Sequence, residues 1–132
     1  TRFFGADGIA NVVDSLTNKA LLTNMVYSDH YSEQADSEKS KEFVAAYEAK
    51  YGEVPTISFA ATGYDAALVL SDAMKQAGST DYEAVTAALK ATDVEGVSGK
   101  ITFDDHNDPI KSAFILTFDE EGNKEFVKLQ NP

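Results

Sequence analysis

A short apolar pair, Phe3-Phe4, runs straight into Gly5-Ala6-Asp7-Gly8, and a helix-like stretch begins near Ile9. Strand, glycine-rich turn and helix in that order restrict what the chain can build, because in open α/β sheets this connection sets ligands at the carboxyl end of a strand. A carboxylate at the tip of the turn, with Gly5 and Gly8 near it on either side, suits recognition of a cation such as an amino group. Toward the other end, GKITFDDHNDPIKSAF again reads as the rim of a cleft, and helical packing lies between. The expectation is a piece of a larger binding protein.

Composition removes several classes. The chain has 132 residues, 43% of them hydrophobic, which is one globular domain's worth of sequence. Its net charge is −11, from 22 acidic and 11 basic residues, and Arg2 is the sole arginine. Nucleic acids and anionic membrane surfaces are recognised by clustered Lys and Arg, so neither partner is expected. Without cysteine there is no disulfide framework and no thiolate metal site. No apolar run approaches the 18 or so residues of a membrane span.

The pattern reads β-α-β-α-α-α-β-β-β. Phe3–Phe4 is a strand, a helix or irregular turn covers about Ile9 to Lys19, and Leu21–Tyr27 is a strand followed by a polar loop to Ala35. Asp36 or Ser37 caps a helix whose Phe43, Tyr47 and Tyr51 share one face; Gly52 ends it and Pro55 prevents continuation. A second helix spans about Ile57 to Gln76, with small residues for close approach, and Gly78 closes it. Asp81 caps a third, Tyr82–Ala91. Lys100–Phe103, Ser112–Phe118 and Glu125–Leu129 then read as strands, joined by turns at 104–109 and 120–123.

The crowded Asp104-Asp105-His106-Asn107-Asp108 invites a metal reading, but Pro109 and Ile115 stand where a calcium loop needs Gly and Glu. His30 and His106 are the only imidazoles for a zinc site. A hairpin turn is the better reading of this stretch, since Asp and Asn are turn formers, and no metal or cofactor is expected. No GxSxG elbow, P-loop or GxGxxG occurs, and nothing pairs a Ser or Thr with either histidine, so an enzyme is not expected. Asp7 alone reads as a turn or cap residue, and Phe59 alone as a core residue. Their company changes that reading.

GADGIAN resembles the GxEGxAN turn of the branched-chain amino-acid-binding proteins of ABC importers, the leucine/isoleucine/valine type of class I periplasmic binding proteins. SFAATGYDAALVL is similar to that family's aromatic-led helix, and GVSGKITFDDHNDPIKSAFIL to its closing stretch. The likeness spans essentially the whole chain but only the last third of a family member. It implies an α/β fold, a three-layer Rossmann-like piece of a two-lobed periplasmic-binding-protein architecture.

The resemblance also implies roles. Asp7 matches the acidic residue that holds the ligand's α-ammonium, with Asp in place of Glu, and Phe59 the aromatic that contacts its aliphatic side chain. Residues 1–22 and 98–132 would belong to the C-terminal lobe and 23–97 to the N-terminal lobe. The carboxylate-binding hydroxyls and amides would lie upstream. The implied function is extracytoplasmic solute binding for import of an amino acid, branched-chain by the likeness, handed to an ABC permease. The protein would reside in the periplasm or be lipid-anchored at the outer face of the membrane. A sensory domain or an amide- or urea-binding member of the same fold is the alternative. Strands near Phe3, Met25 and Ile101 would expose unpaired edges in the 132-residue chain, so self-association, as a two-fold dimer, is expected.

Overall fold

In the computed structural model, which describes residues 1–132, β1 (Phe3–Gly5) runs parallel to β2 (Met25–Asp29), Phe3 opposite Met25 and Gly5 opposite Tyr27. The other face of β2 pairs antiparallel with β6 (Ala113–Phe118), which pairs antiparallel with β7 (Lys124–Gln130). The sheet order is therefore β1-β2-β6-β7. Alternation along β6 turns Phe114, Leu116 and Phe118 inward. They meet Ala10, Leu22 and Tyr27, and the Tyr27 and Phe118 rings stack at 5.2 Å. Burying a side chain such as Leu22 contributes about 1.5–3 kcal/mol. The Tyr27 hydroxyl is buried in this core without a partner, and burial raises its pKa.

The segment between β1 and β2 holds three short 3-10 turns, Asp7–Ile9, Val12–Ser15 and Lys19–Asn24. The strand expected at Leu21–Tyr27 thus begins only at Met25 and continues to Asp29. Pairing with both neighbours fixes that register, and Leu22 is spent instead on covering the sheet.

The helices follow their caps. In α1 (Glu38–Tyr51), Ser37 Oγ accepts from the Ser40 amide at 3.1 Å, and Gly52 ends the helix at φ 79°. Helix α2 (Ser58–Ala77) closes at Gly78, φ 60°, and Asp81 Oδ1 accepts from two amides at the start of α3 (Tyr82–Leu89). Tyr31, Phe43, Ala61 and Val97 form a second apolar cluster between α1, α2 and the following sheet.

That second sheet is antiparallel and three-stranded, β3 (Asp93–Gly96), β4 (Gly99–Phe103) and β5 (Pro109–Ile110), in the order β3-β4-β5. Strands β3 and β5 were not expected. The Asp-rich turn joins β4 to β5: Asp104 Oδ1 accepts from the amides of His106 and Asp108, and Asn107 takes φ 68°. The sheets divide the chain elsewhere than at residues 22 and 98. Strand β2 is hydrogen-bonded between β1 and β6, while β4 pairs with β3 and β5. Of the three strands expected to present open edges, those at Met25 and Ile101 are interior to their sheets; Phe3 alone lies on an edge strand.

Candidate binding site

Asp7 stands just beyond the carboxyl end of β1, as first residue of a 3-10 turn. A Cβ on Gly5 would fall 2.2 Å from Ile9 Cδ1, so a larger residue there would make the Ile9 side chain move. A Cβ on Gly8 would meet nothing within 4 Å. The turn's N-cap is Ala6, with no side-chain cap bond, so the usual structural role of an Asp in such a turn is not the one Asp7 performs. Its carboxylate is half-exposed and faces His30 Nε2 at 3.7 Å.

His30 follows β2 and is fixed through its backbone, whose amide donates to Oδ1 of the buried Asp29 at 2.7 Å. Around Asp7, Ser28, His30 and Lys111 lies a cavity of about 230 Å³. A second, of about 400 Å³, opens between α2 and the β4–β5 ribbon, walled by Phe59, Val69, Ile101 and Phe103. The two share His30, Pro109 and Lys111. Phe59 heads α2 and is 68% exposed, which sets it outside both apolar clusters. Asp7 and Phe59 thus border two adjoining hollows, one polar and one apolar.

A buried carboxylate stands in the lining of the apolar hollow. Asp65 on α2, 3% exposed, accepts from the amides of Val97 at 2.7 Å and Ser98 at 2.9 Å, and from Ser98 Oγ at 2.5 Å. This holds the β3–β4 turn against the helix. Gly96 is needed beside it, since a Cβ there would lie 2.5 Å from Asp65 Oδ1. Lys111 Nζ in turn donates to Ser98 Oγ at 2.6 Å. Burial pushes the Lys111 ammonium's pKa down, and the Asp65 charge opposes that shift. Sequence reasoning weighed His30 only as a metal ligand and named Lys111 only within a matched stretch. The signal for both was position: each lies at a junction between the cleft-forming segments.

The periplasmic binding protein family matches residues 1–123 of the chain. Over 55 residues, 42% of the chain and 14% of the relative, it is 42% identical to a Leu/Ile/Val-binding protein homologue of Brucella abortus. Its structure is similar to that of the leucine-binding protein LivK of Thermotoga maritima, with 30% identity over 98% of this chain and 37% of that one and a TM-score of 0.83. It is also similar to LivJ of Streptococcus pneumoniae, a branched-chain amino-acid transporter substrate-binding protein solved with isoleucine. There the identity is 31% over 97% of this chain and 37% of that one, and the TM-score is 0.79. The chain therefore spans little more than a third of these solved relatives, and the fold is the α/β fold of class I periplasmic binding proteins.

Proposed function

The chain belongs to the periplasmic binding protein family, and on that premise we propose that it is the ligand-holding carboxyl-terminal part of a solute-binding protein for amino-acid import. The ligand is a neutral aliphatic L-amino acid, its ammonium on Asp7 and its side chain against Phe59. The observation that carries this reading is the pairing of an uncapped, half-exposed carboxylate with an adjoining apolar cavity bordered by an exposed aromatic ring. The relatives named for leucine, isoleucine and valine support the same ligand class.

On this reading the four-stranded sheet belongs to one lobe, and the helices with the three-stranded sheet to the other. The chain crosses near His30 and again near Lys111. A ligand between the lobes draws them together, and the closed form is what an ABC permease in the membrane reads, outside the cytoplasm. The role involves no covalent step. Orientation comes from charge, because an ammonium closed into a cleft without its carboxylate costs more than apolar contacts vary.

Calorimetric titration of the full-length protein carrying these residues tests the reading. Leucine and valine should bind, and Asp7→Asn should weaken leucine by about tenfold or more, as expected when a charged pair loses one partner in a closed site. Leucine affinity unaltered by Asp7→Asn would remove Asp7 from the site.

A further inference from the structure

Lys111 is a cation placed where the two hollows meet. It is half-buried, lines both cavities, and is held from behind by a chain of hydrogen bonds running from Asp65 through Ser98. An ammonium has three donors, and Ser98 takes one of those of Lys111, leaving two without a protein partner. The other charged and titratable groups bordering this junction are Asp7, Asp29, His30 and Asp65. Of these, Asp29 is engaged by the His30 amide and Asp65 by the β3–β4 turn. No carboxylate closes a direct ion pair with Lys111. A partly desolvated cation in that position is stabilised by an incoming anionic group.

The order of features along the junction matches the substituents of an α-carbon. Asp7 lies on one side, the apolar cavity of Phe59, Ile101 and Phe103 on the other, and Lys111 between them. An amino acid with its ammonium at Asp7 and its side chain in the apolar cavity carries its third substituent, the carboxylate, toward the shared wall. We infer that Lys111 binds the carboxylate of the amino acid, completing with Asp7 and the Phe59 cavity a three-point contact around its α-carbon. This rests on the amino-acid reading of the site. It adds a cationic partner from this chain to the upstream hydroxyls and amides that the resemblance implies, and a carboxylate has lone pairs enough for both. The Asp65–Ser98 pair then acts as a positioning device: it fixes where the Lys111 ammonium stands without touching the ligand.

The test uses the full-length protein with Lys111→Met and Lys111→Arg, titrated with L-leucine and with L-leucinamide. The amide keeps the ammonium and the side chain but presents a neutral group in place of the carboxylate. Lys111→Met should lower leucine affinity by about tenfold or more while changing leucinamide affinity by less than about threefold, and Lys111→Arg should recover most of the leucine loss. A merely structural lysine would weaken both ligands alike, and that result, or an unchanged leucine affinity in Lys111→Met, overturns the inference. If leucine binding survives Asp7→Asn intact, or the unsubstituted protein binds no leucine, the amino-acid reading itself falls and this inference with it. If Asp7→Asn weakens leucine while Lys111→Met does not, only the inference falls.

Discussion

Phe59 and Tyr64 both present exposed aromatic rings on α2, and their surroundings separate their roles. Tyr64 lies 5.3 Å from Phe43, continuing the aromatic row Phe43, Tyr47, Tyr51 of α1. Phe59 has no such aromatic neighbour and borders the apolar cavity instead. In the full-length protein Phe59→Ala is therefore expected to weaken leucine several-fold more than alanine, since burial of each methylene contributes about 0.8 kcal/mol and alanine lacks the contact. Competition titration with both ligands checks it. An equal loss for the two would instead make Phe59 a packing residue, whose truncation typically lowers stability by about 3–5 kcal/mol. At this scale Asp7 and Phe59 were singled out in the sequence only by their company, the order of turn, helix and closing stretch that carries the resemblance, since alone they read as a turn residue and a core residue. His30 and Lys111 were not, because what distinguishes them is which segments the fold brings together, and neither has an unusual neighbour in sequence.

At the scale of elements, stop and start signals carried the helices. Ser37, Gly52, Gly78 and Asp81 each act within one turn of where they stand, so their effect can be read without the rest of the molecule. The strands depended on partners. Asp-Val-Glu-Gly at 93–96 has little intrinsic preference for extended structure and becomes β3 only through pairing with β4. Pro109–Ile110 is a strand of two residues that exists because the Asp104 turn folds it back onto Phe103. What fixes the β3–β4 hairpin in place is Asp65, and its removal should be felt far beyond the hairpin. Asp65→Asn turns an amide NH2 toward donors that need an acceptor, so a loss of about 2–4 kcal/mol is expected. Gly96→Ala should destabilise as well, because its Cβ intrudes on the same carboxylate. Chemical denaturation of the full-length variants reads both. A change in midpoint no larger than that of an exposed helix substitution would mean that the hairpin is held by its own ladder alone.

At the scale of the whole molecule, the 132 residues keep too much surface for their mass. A compact monomer of 14.3 kDa should expose about 6,800 Å², whereas this chain exposes 8346 Å² and buries only 23 of its residues. The excess, about 1,500 Å², is larger than the roughly 800 Å² that each partner contributes to a standard protein interface. Part of the exposed apolar surface lies at one sheet edge: Phe3 is 54% and Phe4 79% exposed on β1. The opposite edge, β7, is blunted, because the Gln34 side chain bonds to the Lys124 carbonyl and the Phe126 amide. Strand β1 is thus the open edge at which a second chain would be expected to add. The net charge of −11 opposes such an approach, but salt screens charges beyond about 8 Å at physiological ionic strength while leaving the apolar contact intact. The 132-residue chain prepared by itself is therefore expected to associate at micromolar concentration, more strongly as salt is raised, and to bind leucine far more weakly than the full-length protein. Light scattering across a salt series measures the first and calorimetry the second. Phe4→Lys, which puts a charge on the exposed edge, should shift the chain toward monomer without altering its helices by circular dichroism. A cooperative, compact monomer at every salt concentration would show instead that the two apolar clusters suffice to close the surface, and would sink the proposed edge-to-edge pairing.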